Sequence, residues 1–169
     1  MGQSEYPGKK EVEKVIKLTI GQKLTKKNSS CEYGQCGEWW TANKDSIFYK
    51  TDTLKFYNSS NIVDTDTSFC ISLVWDFDNA NNFNESRAKM CQEPTTRSVK
   101  VWAPALGQNV NTKIPNKYGI ASMNNITYVT IYADQTILET YKVIHLKKTT
   151  ERNLGDKSYC LTLVRQRRR

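Results

Sequence analysis

Few side chains in this sequence could carry catalytic chemistry. His145, the one histidine, lies between Ile144 and Leu146 in a strand-like run, and no Gly-x-Ser-x-Gly elbow is present. A single histidine also leaves a zinc site short of ligands. The closely spaced acids lack the pattern of a calcium-binding EF-hand loop; they are Asp64, Asp66, Asp76 and Asp78. We therefore predict a protein that is not an enzyme and uses no cofactor or metal, with His145 facing outward from a strand.

The cysteines are the clearest chemical signal. Four of the five lie in the stretch 31–91, which also holds three of the four tryptophans; the cysteines are Cys31, Cys36, Cys70, Cys91 and Cys160. Cysteines at such density are typical of disulfide-stabilised proteins from oxidising compartments. The sequence does not fix the pairing. An odd number leaves one thiol unpaired, and we expect it either to stay free or to join a partner chain.

Sequons for N-glycosylation point to the same compartment. Four of them begin at Asn28, Asn58, Asn84 and Asn125. A shuffled chain of this composition would hold about two, so the excess is modest. Taken with the cysteines, the sequons predict a protein that is secreted, extracellular or on a virion surface. The alternative is a cytosolic protein whose reduced cysteines are buried as small apolar groups.

The positive charge is concentrated near the C-terminus. The formal net charge is +8, and residues 142–169 contain nine Lys or Arg against two acids. A nearly neutral body argues against a nucleic-acid-binding surface. We predict one β domain over 1–164 and a basic tail over 165–169. Within the tail, Arg165, Arg167 and Arg168 form an Arg-x-Arg-Arg pattern that favours cleavage by a proprotein convertase; a heparin-binding cluster is the alternative.

Short β-branched and aromatic runs, separated by turn residues, predict the secondary structure. We expect strands over 14–20, 69–77, 97–103 and 158–164, two β pieces within 46–57, and a meander over 117–122, 126–133 and 135–147. Residues 11–17 could instead form a short helix, and we expect loops over 21–30 and 78–96. This spacing is typical of an all-β, antiparallel β-sandwich, with a small β-barrel as the alternative.

Large aromatic residues are the candidate binding anchors. Trp39 and Trp40 are adjacent, so on a strand they point to opposite faces. Either could be an exposed anchor for a receptor, as could Trp102, and the 78–96 loop is a further candidate surface. The alternative places both Trp39 and Trp40 in the core.

Several of these motifs resemble those of a known family. Cys31-x4-Cys36, then Trp39-Trp40, then Phe69-Cys70-Ile-Ser-Leu73 leading to Asp76-Phe77, resembles the receptor-binding domain of gammaretrovirus-type envelope surface subunits. Tyr118-Gly119-Ile120 is similar to a late segment of that domain, and the terminal Arg-x-Arg-Arg looks like its subunit cleavage site. The resemblance implies a β-sandwich that binds a host cell-surface protein.

A second resemblance is shorter. Gly37-Glu38-Trp39 is similar to the Gly-x-Trp motif of lipocalins. That similarity implies a β-barrel that carries a small apolar ligand.

Overall fold

The computed structural model describes residues 6–26, 38–58, 70–89, 101–102, 116–149 and 158–167, with only the backbone of 22–26, 88–89 and 101–102. These residues form mainly β-strands. The elements are α1 (Lys9–Lys26), β1 (Trp39–Ala42), a 3-10 turn (Lys44–Ser46), α2 (Ile47–Lys50), β2 (Thr53–Tyr57), β3 (Ile71–Phe77), β4 (Asn82–Lys89), β5 (Val101–Trp102), β6 (Asn116–Met123), β7 (Ile126–Ala133), β8 (Thr136–Thr149) and β9 (Ser158–Arg165).

Eight of the strands close into an antiparallel barrel. Around the ring the order is β1, β2, β9, β8, β7, β6, β4 and β3, and β3 pairs again with β1. The short β5 adds to β4 beside β6. The predicted all-β class and its small-barrel alternative are thus confirmed, whereas the sandwich is not the arrangement found. Because β1 lies between β2 and β3, the ring departs from a simple up-and-down order.

The N-terminal segment is a long helix, which confirms the helical alternative for 11–17 and shows that the strand predicted over 14–20 is wrong. The loop predicted over 21–30 is wrong for 21–26, and 27–30 lie outside the described residues. Val12, Val15, Ile16 and Ile20 recur at helical spacing and are all buried in the same core as the barrel residues. Their β-branched side chains favour strands when the composition is considered alone. Burial of this stripe against β6 and β7 outweighs that local preference.

Two other predictions change with the structure. The expected 78–96 loop contains β4, which pairs with β3 from Phe77↔Phe83 to Ile71↔Lys89. The first β piece predicted within 46–57 is α2, and only the second is a strand. β4 was missed because Phe83 and Ala88 are its only apolar residues, so its composition is typical of a loop. α2 is strand-like in sequence, because Ile47, Phe48 and Tyr49 favour β structure locally.

The C-terminal half matches its prediction. β6, β7 and β8 form the expected meander, and β9 covers the expected final strand. Asn124 and Asn125 have φ values of 52° and 61° in the β6–β7 turn. Two successive positive φ values define the tight hairpin turn that asparagine tolerates better than most residues.

Aromatic side chains fill the interior of the barrel. The Trp75 ring lies 4.1 Å from Phe56, 5.1 Å from Tyr141 and 5.2 Å from Phe83, measured between centroids. Strand register brings Phe83 to the same face as Trp75, because Trp75 lies opposite Glu85, two residues further along β4. The interior is therefore a packed aromatic core rather than an open channel.

Candidate ligand-binding pocket at the mouth of the barrel

The tryptophans chosen as receptor anchors are not on the surface. Trp39 is 0% exposed and Trp40 is 1% exposed. Their side chains point to opposite faces of β1, as expected, yet both faces are covered. The anchor interpretation of Trp39 and Trp40 is therefore wrong, and the core alternative holds. The side chain of Trp102 lies outside the described part of the structure.

The cysteines and sequons are only partly covered by the described residues. Cys70 is disulfide-bonded, and Cys160 is a free, half-buried thiol on β9. Cys31, Cys36, Cys91 and Asn28 lie outside the described residues. The cysteine that pairs with Cys70 lies outside the described residues, so the disulfide pairing stays a prediction. Of the two described cysteines, Cys160 is the one that is free.

The three described sequon asparagines differ in access. Asn125 is exposed at the tip of the β6–β7 hairpin, and Asn84 is half buried on β4. Asn58 is buried: its Oδ1 accepts a hydrogen bond of 2.6 Å from the Tyr159 backbone N–H, and its Nδ2 has no access to solvent. A glycan on that Nδ2 is incompatible with this packing, so the prediction for Asn58 is corrected.

Arg165 belongs to the barrel and not to a tail. It is the last residue of β9, and its side chain is only 12% exposed. Arg167, by contrast, is exposed and pairs with Asp52 at 2.9 Å, and Arg168 lies outside the described residues. The boundary predicted at residue 165 therefore moves beyond β9, and in the folded chain Arg165 is withheld from a convertase.

His145 is exposed on β8, as predicted. It lies in a surface cleft between β8 and the start of α1, together with Tyr6 and Glu11. The described residues contain no cluster of three or more His, Cys, Asp or Glu side chains that could hold a metal ion.

A small pocket occupies one end of the barrel, which we call the mouth. This is the end at which β1, β7 and β9 finish and β2 and β8 begin. Between β1 and β2, the 3-10 turn and α2 cross the mouth. Asp45 and Ser46 have φ values of 56° and 59°, which allow the tight turn, and Asn43 Oδ1 accepts a hydrogen bond from the Phe48 N–H. These contacts hold the Phe48 ring over the interior.

The pocket has an aromatic floor and an acidic wall. The cavity has a volume of about 20 Å³, and its lining residues are Phe48, Trp75, Phe83, Glu85, Ile131, Leu138, Glu139 and Tyr141. That volume is enough for roughly one water molecule. Leu138 and Glu139 are half buried, so they connect the cavity to the surface of the mouth.

Glu85 is directed into the barrel by its register. It lies opposite Trp75 on β3, and the Trp75 Nε1–H donates a hydrogen bond of 3.0 Å to Glu85 Oε2. Burial raises the pKa of the Glu85 carboxyl, the Trp75 hydrogen bond opposes that rise, and the nearby Glu139 adds to it. The barrel interior thus destabilises the charged form of Glu85.

Glu139 and Arg165 form an ion pair beside it. A bulge at Ile131/Tyr132 places Glu139 opposite Ile131, and Arg165 lies opposite Tyr141. Arg165 Nε is 3.6 Å from Glu139 Oε2, which is an ion-pair distance but too long for a good hydrogen bond. Burial raises the pKa of Glu139, and the Arg165 guanidinium partly reverses that rise.

Aromatic faces also hold the guanidinium. The Arg165 Cζ lies 4.8 Å from the centre of the Phe48 ring and 5.8 Å from that of Tyr141. Arg165 Nε and Nη2 are buried and have no hydrogen-bond partner among the described residues. These two nitrogens are therefore hydrogen-bond donors that no described residue uses.

Exposed apolar side chains surround the mouth. Ile47 on α2, Ile71 at the start of β3 and Ile137 at the start of β8 are all exposed at this end. We call these three residues the apolar rim. A rim of this kind, next to a pocket with a few convergent polar groups, is typical of a small-molecule site.

Sequence reasoning missed Glu85 and Glu139, and it assigned Arg165 to a cleavage motif rather than to this site. A signal for Glu139 was available, because it shares strand phase with Tyr141 and Val143, which are both buried. A charged residue in the apolar phase of a strand is unusual. Glu85 lacked that signal because β4 itself was not predicted.

The fold and pocket define a closed, eight-stranded antiparallel barrel with an acidic and aromatic mouth. The chain matches no protein-family model, and no curated protein or solved structure is significantly similar to it. The resemblances to envelope receptor-binding domains and to lipocalins therefore stay predictions. No helix in the described ranges is long and apolar enough to cross a membrane.

Proposed function

We propose that the protein is a secreted, non-catalytic β-barrel that binds a small ligand at its mouth. The observation that carries this proposal is a group of ionisable side chains at the mouth pocket: Glu85 and Glu139 line the cavity, and Arg165 pairs with Glu139 beside it. Burying charges lowers stability unless other interactions compensate, and an apolar replacement of similar volume would pack at least as well. Their presence on an aromatic floor is better explained by a bound polar group than by folding alone.

Receptor recognition, the other interpretation, has less support. Its two leading anchors, Trp39 and Trp40, are buried, and residues 82–89 of its candidate loop form β4. The lipocalin-like alternative fits a barrel, but a purely apolar ligand does not suit this interior. The cavity is small, and its wall carries two carboxylates. We therefore favour a ligand with a polar head that enters the pocket.

Secretion is part of the proposal. It is supported by the disulfide-bonded Cys70 and by the exposed position of Asn125 in its sequon. Both features suit an oxidising, glycosylating compartment.

A thermal-shift screen of small charged and neutral molecules tests ligand binding. A ligand present at a hundred times its Kd adds about 2.7 kcal/mol of stability, which raises the Tm of a domain of this size by roughly 5–10 °C. Leu138→Trp should abolish the shift, because Leu138 lines the pocket and the larger ring fills its opening. Met123→Trp is the matched control, because Met123 is exposed at the end of β6 that lies farthest from the mouth.

Two results would count against the proposal. One is a screen in which no compound gives a saturable shift. The other is a shift that survives in Leu138→Trp as fully as in Met123→Trp, since the ligand would then bind elsewhere.

A further inference from the structure

We propose that the mouth pocket binds a protonated primary amine carried on a short apolar body. This inference rests on the proposed ligand-binding function and names the class of ligand. In the complex, the ammonium group lies between the carboxylates of Glu85 and Glu139. The body extends past Leu138 toward the apolar rim.

The pocket has two carboxylates, Glu85 and Glu139, but only Glu139 has an ion-pair partner among the described residues. Glu139 has Arg165 as its partner at 3.6 Å. Glu85 accepts a hydrogen bond from the neutral Trp75 indole, and Arg87 and Arg165 attract it without forming an ion-pair contact among the described residues. Arg87 is the next inward-phase residue on β4, but it is exposed and its Nη2 lies 3.5 Å from the Tyr49 hydroxyl. An ammonium beside Glu85 would balance the second carboxylate, and the partly buried setting strengthens that attraction.

The ion pair itself is loosely made. The distance of 3.6 Å from Arg165 Nε to Glu139 Oε2 exceeds that of a hydrogen bond. Because no described residue donates a hydrogen bond to the Glu139 carboxylate, its oxygens keep acceptor capacity that a ligand N–H could use. An ammonium group has three donors, which suits the two carboxylates that line this cavity from β4 and β8.

The aromatic walls favour positive charge. Phe48 and Tyr141 already present their faces to the Arg165 guanidinium at 4.8 Å and 5.8 Å. The same rings line the cavity together with Trp75. Aromatic faces attract cations, whereas an anionic ligand would meet two carboxylates.

The size of the cavity selects the kind of amine. About 20 Å³ admits a group the size of one water molecule, and a primary ammonium is of that size. A quaternary ammonium is too large to enter. Since Ile47 and Ile137 are 50% and 43% exposed, an apolar body attached to the amine would find contacts at the rim.

Three probes with the same aromatic body test the inference: 2-phenylethylamine, 2-phenylethanol and 3-phenylpropionate. Binding is followed by tryptophan fluorescence and by Tm shift at neutral pH. We expect the amine to bind at least about tenfold more tightly than the alcohol and the carboxylate not to bind. Trimethylated phenylethylamine should bind no better than the alcohol.

Variants locate the ammonium. Glu85→Gln and Glu139→Gln should each weaken amine binding by about tenfold and leave binding of the alcohol unchanged. Glu13→Gln is the matched control, because Glu13 lies on α1 and pairs there with Lys9. Should a pocket variant fail to fold, the wild-type pH profile gives a second test: affinity for the amine must fall on acidification as Glu85 and Glu139 protonate, although the amine stays charged.

The outcomes separate the two proposals. Tight binding of the carboxylate or the alcohol, with weak binding of the amine, overturns the amine inference and leaves the ligand-binding function standing. Amine binding that is unchanged in both pocket variants and flat with pH also overturns the inference. Failure of all three probes, together with an empty thermal-shift screen, removes the ligand-binding function itself.

Discussion

The ion pair between Arg165 and Glu139 should be an energetic element of the barrel and can be tested by a double-mutant cycle. At 3.6 Å and an effective dielectric constant of about 20, the Coulomb attraction is about 5 kcal/mol. Loss of hydration by both groups, which are only 12% and 21% exposed, offsets much of it. We therefore expect a coupling energy of about 2 kcal/mol, within the range found for interacting neighbours.

The single and double variants should differ in a defined way. Arg165→Met keeps most of the side-chain packing but leaves Glu139 charged and unpaired, and should cost about 3–5 kcal/mol at neutral pH. Adding Glu139→Gln should restore all but about 1–2 kcal/mol, because the unpaired charge is gone. Without its cation, Glu139 should have a still higher pKa, so the deficit of Arg165→Met should shrink as the pH falls.

Urea unfolding followed by tryptophan fluorescence measures all four proteins. The exposed pair Asp52 and Arg167, whose side chains are 47% and 68% exposed, provides a matched cycle with Asp52→Asn and Arg167→Met. That surface pair should couple by less than about 1 kcal/mol. Equal coupling in the two cycles would refute the claim that the interior of the mouth strengthens the Arg165 pair.

Three further predictions follow from single residues. Burial raises the pKa of Glu85, so Glu85 favours folding at acid pH, and this contribution is lost as the pH rises through the folded-state pKa. The free energy of unfolding, measured in urea at several pH values, should therefore change less with pH in Glu85→Gln than in the wild type. An unchanged dependence on pH would contradict this. Burial alone would raise the pKa of Asp78, but hydrogen bonds from Asn82 and Ala80 lower it. Asp78→Ala should lower the free energy of unfolding by about 1–3 kcal/mol at neutral pH, and this difference should shrink at acid pH, where Asp78 becomes protonated in the wild type. In secreting mammalian cells, Asn125→Gln should remove a glycan mass and Asn58→Gln should not; the reverse result would contradict the burial of Asn58.

The sequence predicts strands well where local and tertiary preferences agree. β3 and β7 are β-branched or aromatic along most of their length, and asparagine marks the β6–β7 turn. α1 shows the opposite case, because its residues favour a strand one by one while their spacing favours a helix. Packing of α1 against β6 and β7 favours the helix over the strand, and this packing cannot be read from the sequence.

The pocket was harder to predict than the fold. Its lining residues come from α2, β3, β4, β7 and β8, and Arg165, which pairs with Glu139, comes from β9. No short motif therefore contains two partners that touch across the barrel. Glu85 needs the register of β3 with β4, and Glu139 needs the bulge between β7 and β8. Register and bulges depend on pairing between strands, which a single sequence does not specify.

The ring order has a consequence for how the chain folds. β9 completes the barrel by pairing with both β8 and β2, and the β2 pairs join residues as far apart as Thr53 and Val164. Contacts between such distant residues are slow to form, because a long loop must close before they contribute. During synthesis, β2 and β8 each have one unpaired edge until Ser158–Arg165 leaves the ribosome. A chain interrupted before that strand would expose two unpaired edges at once, and such edges are templates for aggregation.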